Sequence, residues 1–155
     1  MTTQLTSSHD ERVLASLANA SVLISLFTGF GGAIAAAIIW ATQKDKSQYV
    51  AFQALQATAY QLIGALVFGL AWCCWLGFYF ASWIPMIPQL EQNPDTLPPL
   101  FWIGMFSMVC PMLVMGAWTL YGLWGALETY RGKDFRYVVI GNWVKRSMMS
   151  SQAAG

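Results

Sequence analysis

Charge is scarce in this chain of 155 residues, because only 10% of them are Asp, Glu, Lys or Arg, whereas a soluble domain averages about 25%. The few charges are also uneven, since residues 13–43, 47–90 and 96–127 contain none. A helix needs about 20 apolar residues to cross a hydrocarbon core about 30 Å thick. Each run is long enough, so the sequence predicts an all-α integral membrane helix bundle with three transmembrane helices.

Histidine and cysteine are also rare. The only histidine, His9, lies in the polar N-terminal tail, so the predicted spans hold no imidazole that could bind haem or zinc or act as a general base. The cysteines Cys73, Cys74 and Cys110 lie inside predicted spans without a metal-ligand spacing. No motif of a serine hydrolase, a phosphate-binding loop or a zinc protease occurs. These absences predict a non-enzymatic protein with no cofactor or metal, and a net charge of +1 without a basic stripe predicts no nucleic-acid binding.

The charge-free runs predict one membrane domain, residues 13–146, between a polar tail at 1–12 and a flexible tail at 147–155. We expect spans at about 13–42, 61–83 and 100–128, an amphipathic helix start at 47–60 and a short interfacial helix at 135–146. In this last segment Phe135, Val138, Val139 and Trp143 can share one face, which is typical of a helix lying on an anionic leaflet.

The first apolar run is longer than a bilayer core, at about 45 Å of helix, so it must bend or tilt. The sequence Gly29–Gly32, GFGG, is the expected place for a bend, either as a kink in one continuous helix or as the turn of a re-entrant hairpin. Small residues at every fourth position favour the continuous helix, because such rows let helices approach closely in lipid. They are Ser21, Ser25, Gly29, Ala33, Ala37 and Ala41.

A polar and aromatic face follows in the second run. Its side chains recur at spacings of four, three and four residues, which places them on one side of a helix; they are Tyr49, Gln53, Gln56 and Tyr60. Gln56 and Gln61 would be costly against lipid, so we expect both to point into the protein and to form hydrogen bonds across helices. The alternative is that these glutamines line a polar path or bind a ligand.

Prolines and basic residues set the expected topology. Residues 84–100 contain five prolines, which predicts an external loop without regular helix, and Pro111 predicts a kink in the third span. Seven of the eight cations fall on one side of a three-span arrangement: Lys44, Lys46, Arg131, Lys133, Arg136, Lys145 and Arg146. The positive-inside rule predicts that the 43–47 loop and the C-terminus are cytoplasmic. The N-terminus then faces out, whereas a hairpin at GFGG would bring Arg12 inside as well.

The segment AIIWATQKDKSQYVAFQALQATAYQ resembles the characteristic segment of a bacterial family of uncharacterised small membrane proteins. That family is distantly similar to the Tic-type subunit of the chloroplast inner-envelope import translocon. The segments DERVLASLANAS and GKDFRYVV resemble the family's opening and closing motifs, so the likeness covers roughly residues 10–64 and 125–145. Departures from the family pattern are Ala35 and Ala36 for Gly-Pro, Asn19 for a frequent His and Val138 for a common Pro.

The resemblance implies a helix-bundle component of the bacterial inner membrane. We expect a non-enzymatic scaffold or accessory subunit of a larger membrane complex, with an energy-transducing or photosynthetic assembly as one version. Its partners would be membrane lipids and other membrane proteins or further copies of the chain. The alternative is a Tic-like channel or translocation component, which the resemblance and the glutamine face both suggest.

Overall fold

The computed structural model describes residues 8–93, 95, 97–138, 140–144 and 146. The predicted tail at 147–155, Lys145, Val139 and most of the tail at 1–12 lie outside the described residues. The helices are α1 (His9–Ala20), α2 (Val22–Thr28), α3 (Gly31–Gln43), α4 (Gln48–Trp83), α5 (Ile87–Gln92), α6 (Pro99–Phe106), α7 (Val109–Tyr130) and the short α8 (residues 140–144). A 3-10 turn, Ile84–Met86, joins α4 to α5.

The predicted fold class is confirmed. The described part of the chain contains helices and no strand. Three helical segments are long and apolar enough to cross a membrane, namely His9–Thr28, Gln48–Gln92 and Pro99–Tyr130. Where the edges of the hydrocarbon core fall along these helices remains a prediction.

The first apolar run forms a helical hairpin, so of the two expected arrangements the turn at GFGG is observed and the continuous helix, which the row of small residues favoured, is wrong. The chain turns between α2 and α3, where Gly29 has a φ of 75°, a positive value that glycine adopts more readily than other residues. α3 then packs back against both α1 and α2. A Cβ on Gly32 would lie 2.0 Å from the carbonyl oxygen of Ser21, so the two arms meet at a distance that only glycine permits.

The prolines interrupt the helices less than predicted. Residues 84–92 are largely helical, in contrast to the expected irregular loop. Pro85 and Pro88 are the second residues of the 3-10 turn and of α5, where the missing N–H breaks no helical hydrogen bond. Similarly, Pro111 lies in the first turn of α7, and the helix is interrupted before it, at Ser107 and Met108.

The chain divides into two compact units. The first comprises the described residues of 8–65 and 118–146, and the second comprises residues 66–117. In the second unit α6 lies close to the end of α4, because a Cβ on Gly104 would be 3.0 Å from Ser82 Oγ. Most large apolar side chains of this unit are exposed, as lipid-facing or partner-facing side chains are.

The segment after α7 is built into the core of the first unit. Residues 133–137 are not helical, and the short α8 follows them. Tyr137, Ile140 and Val144 are buried, whereas Val138 and Trp143 are exposed. Phe135 therefore does not share the predicted helical face with Val138 and Trp143, because residues 133–137 are not helical and the assumed helical spacing does not apply there.

Candidate functional site

Gln61 of α4 joins the two arms of the helical hairpin. Its amide nitrogen donates to Ser21 Oγ at 2.9 Å and to the Ala18 carbonyl at 3.3 Å. Its amide oxygen accepts a hydrogen bond of 2.9 Å from Ser25 Oγ. Ser21 Oγ in turn donates to the Gly32 carbonyl on the other arm at 2.9 Å. One buried amide thus connects α4 to α1 and α2 and, through Ser21, to α3.

Gln53 and Gln56 hold the segment after α7. Both side-chain nitrogens donate to the Phe135 carbonyl, at 3.0 and 2.8 Å. The Gln56 nitrogen also donates to Gln53 Oε1 at 2.7 Å. The Gln56 amide oxygen is buried and accepts no hydrogen bond from the residues that the structure describes, so Gln56 acts here as a donor. The two side chains therefore clamp one backbone carbonyl that lies about 80 residues away along the chain.

An aromatic stack lies beside this clamp. The Tyr60 ring is parallel, within 10°, to Trp118 on one side and to Tyr137 on the other, with centroid distances of 4.5 and 4.0 Å. Tyr60 donates its hydroxyl to the Trp118 carbonyl at 2.6 Å. Tyr137 donates its hydroxyl to Asn19 Oδ1 at 2.9 Å. Burial raises the pKa of Tyr137 well above its ordinary value, so this phenol remains a protonated donor.

Charged residues gather at one end of the first unit, where four chain segments meet; we call it the charged end. Tyr49, near the start of α4, donates to the carbonyls of Thr129 and Lys133, both at 3.3 Å. Ser47 forms a hydrogen bond with the Glu11 side chain of α1. The start of α1, the start of α4, the end of α7 and the residues that follow it therefore meet at one end of the first unit.

The charged end of the first unit also contains ion pairs and a tight turn. Glu128 binds Lys133 at 2.7 Å and Arg131 at 3.2 Å. Gly132 has a φ of 79°, and a Cβ there would lie 2.8 Å from the Arg12 guanidinium carbon. Arg12 therefore lies at the charged end, which the hairpin makes possible by returning the chain to the side from which it starts.

The residues predicted as a packing or polar face fall into three groups. Those that are buried are Ser21, Ala33, Gln53, Gln56, Tyr60 and Gln61, those that are partly buried are Ser25 and Tyr49, and the exposed one is Gly29. All are in the first unit, and Gly29 serves the hairpin turn instead of a helix contact. Sequence reasoning missed the roles of Asn19, Phe135 and Tyr137, and the alternating aromatics Phe135 and Tyr137 are the signal against a helix that the sequence offered.

The chemistry of this polar network is that of neutral hydrogen-bonding groups. It consists of amides, hydroxyls, phenols and backbone carbonyls that bind one another. Within the described residues no group of three or more His, Cys, Asp or Glu is placed to hold a metal ion. What the arrangement does is hold the hairpin, α4, α7 and the following segment in one fixed geometry.

Comparison with known proteins places the chain in a family. Residues 10–144 match the MamF/MmsF family model, which is described as the magnetosome magnetite crystal formation protein family. No curated protein and no solved structure shows significant similarity to the chain. The match agrees with the predicted resemblance to a family of small bacterial membrane proteins, whereas none of these comparisons supports the further resemblance to the chloroplast import translocon.

Proposed function

Because the chain belongs to the magnetosome magnetite crystal formation protein family, we propose that it is a non-enzymatic membrane accessory protein that acts as a scaffold within a larger membrane complex. The family description connects the family with magnetite crystal formation. From that description we carry over the role of a membrane accessory protein.

The observation that carries this proposal is the internal use of the buried polar groups. Gln61 binds through both ends of its amide, and the nitrogens of Gln53 and Gln56 meet on one carbonyl. In a membrane such contacts fix how helices pack. A unit whose helices are held in this way presents a constant surface to its partners, which is what a scaffold requires.

The apolar surface of the second unit supports the same proposal. Its exposed side chains include large aliphatic and aromatic residues along α4, α6 and α7, such as Leu70, Phe80, Phe106 and Leu113. Each of these is apolar and suits contact with lipid or with another membrane helix. Its partners would be other membrane proteins or further copies of the chain.

A Tic-like channel or translocation component is the alternative that the glutamine face suggested. The geometry favours it less, because Gln53 and Gln61 bind backbone and hydroxyl groups of the same unit. A polar path would leave such amides facing an open lumen. If the channel were correct, substituting Gln61 with Leu would change ion flux in proteoliposomes while the fold remained stable.

We further propose that the charged end of the first unit faces the cytoplasm of a bacterial membrane. The hairpin brings Arg12 to the end that also holds the 43–47 loop and the residues after α7. Every Lys and Arg of the chain then belongs to segments on one side: Arg12, Lys44, Lys46, Arg131, Lys133, Arg136, Lys145 and Arg146. A bias this strong in short loops is the condition under which the positive-inside rule applies.

The experiment that tests the scaffold is purification of the tagged protein in mild detergent, followed by measurement of particle mass and identification of co-purifying proteins. The scaffold proposal predicts a particle much larger than the 17.2 kDa chain plus its detergent, with a reproducible set of partners. A monodisperse particle that contains one copy of the chain and no other protein would contradict it.

A further inference from the structure

The outer side of α8 carries a small apolar and cationic surface. Ile140 and Val144 pack inward with Tyr60 and Tyr137, so the opposite side of this short helix faces away from the unit. Trp143 is 67% exposed, and Val138, just before the helix, is 80% exposed. Arg146 follows Trp143 by three residues and is exposed as well. We call Val138, Trp143 and Arg146 the α8 surface.

The α8 surface lies at the boundary between the charged end and an apolar span. A Cβ on Gly141 would be 3.2 Å from the Gln56 amide oxygen, so α8 lies beside α4 at the level of Gln56. On one side of that level are the start of α4 and the basic 43–47 loop. On the other side α4 continues through residues 61–83 without a single charged residue. With residues 61–83 as the predicted span, this is the level at which we expect the headgroups and the upper acyl chains.

The charges around the α8 surface are of two kinds. Arg131 and Lys133 share the single carboxylate of Glu128, and Arg136 binds Asp134, so each of these three cations has a carboxylate partner within the protein. Arg146 has no carboxylate partner among the described residues. Its charge is therefore available to an anion outside the protein.

We propose that the α8 surface docks onto an anionic phospholipid leaflet. Trp143 and Val138 would enter the region of the glycerol backbone and the first acyl carbons, where the amphipathic indole ring is favoured. Arg146 binds the lipid phosphates, since basic residues at this depth are attracted by anionic headgroups. The lipid contact fixes the outer side of α8 while Ile140 and Val144 fix its inner side. This proposal does not depend on the scaffold function.

The test uses the full-length protein in lipid nanodiscs of phosphatidylcholine alone or of phosphatidylcholine mixed with phosphatidylglycerol. Tryptophan fluorescence is quenched either by lipids brominated near the carbonyl end of the acyl chain or by aqueous acrylamide. The difference between the native protein and Trp143→Phe isolates the signal of Trp143. The matched control is Trp124→Phe, which removes another exposed tryptophan, in α7.

We expect the Trp143 signal to be quenched by the brominated lipids and to become less accessible to acrylamide as the fraction of phosphatidylglycerol rises. Arg146→Gln should weaken this dependence on anionic lipid about fivefold, the effect of one basic residue at a membrane surface. The Trp124 signal should not depend on the anionic lipid. Native elution in size-exclusion chromatography shows that each variant is folded.

Two results would overturn the proposal. Equal quenching of Trp143 by acrylamide in both lipid mixtures, without quenching by brominated lipid, would mean that the surface is solvated. Protection from both quenchers would mean that protein, either another copy or a co-purified partner, covers the surface.

Discussion

Substitution of Gln61 by Leu tests whether one buried amide holds the helical hairpin to α4. The native side chain makes three hydrogen bonds, to Ser21 Oγ, to the Ala18 carbonyl and from Ser25 Oγ. Hydrogen bonds between membrane helices average about 0.6 kcal/mol each. Leu removes all three, so we expect Gln61→Leu to lower the free energy of unfolding by about 2 kcal/mol.

The assay is reversible unfolding in mixed micelles, in which the fraction of denaturing detergent is raised and helix content is followed. Gln48→Leu is the control, because it makes the same chemical change at an exposed position near the start of α4. A double-mutant cycle with Ser25→Ala should give a coupling free energy of about 0.6 kcal/mol for the 2.9 Å contact. A loss below about 0.5 kcal/mol for Gln61→Leu, the range of ordinary surface substitutions, would refute the reasoning.

Three further substitutions probe the hairpin and the aromatic stack in the same unfolding assay. Gly32→Ala should destabilise the protein by at least about 2 kcal/mol, because its Cβ would meet the backbone oxygen of Ser21. The control Gly77→Ala, with open space around it, should be neutral or slightly stabilising. Equal effects of the two substitutions would disprove the close approach of the two arms. Tyr137→Phe leaves Asn19 Oδ1 buried without its donor and should cost about 1–3 kcal/mol; an unchanged midpoint would show that this bond is dispensable. Gly29→Ala should cost about 1 kcal/mol because of its positive φ, and a stabilised variant would be inconsistent with the turn.

The helix content and the polar face of α4 follow from features that the sequence carries locally. Runs without charge predict helices that can enter a membrane, because an unpaired charge in hydrocarbon is costly. Spacing alone predicts that four side chains share one helix face, since a helix has 3.6 residues per turn. They are Tyr49, Gln53, Gln56 and Tyr60. That Gln61 should point inward follows from the cost of an amide against lipid.

The contacts that join distant segments could not be predicted in the same way. The row of small residues from Ser21 onward is compatible with a straight helix, and only the approach of Gly32 to Ser21 distinguishes a hairpin from it. Asn19 and Tyr137 are 118 residues apart, so no local pattern pairs them. The non-helical backbone at 133–137 was also missed, because a helical spacing was assumed where the Phe135 carbonyl instead accepts hydrogen bonds from two glutamine amides.

The sidedness of the first apolar run tests the central structural claim, the helical hairpin, most directly. Single cysteines are introduced by Asp10→Cys and Asp45→Cys in a chain whose native Cys73, Cys74 and Cys110 are replaced by Ala. A membrane-impermeant maleimide is then applied to intact cells and to inverted membrane vesicles. The hairpin predicts that both positions react from the same side, the cytoplasmic one, in inverted vesicles. Labelling of the two positions from opposite sides would mean that the run crosses the membrane once, and it would contradict the account.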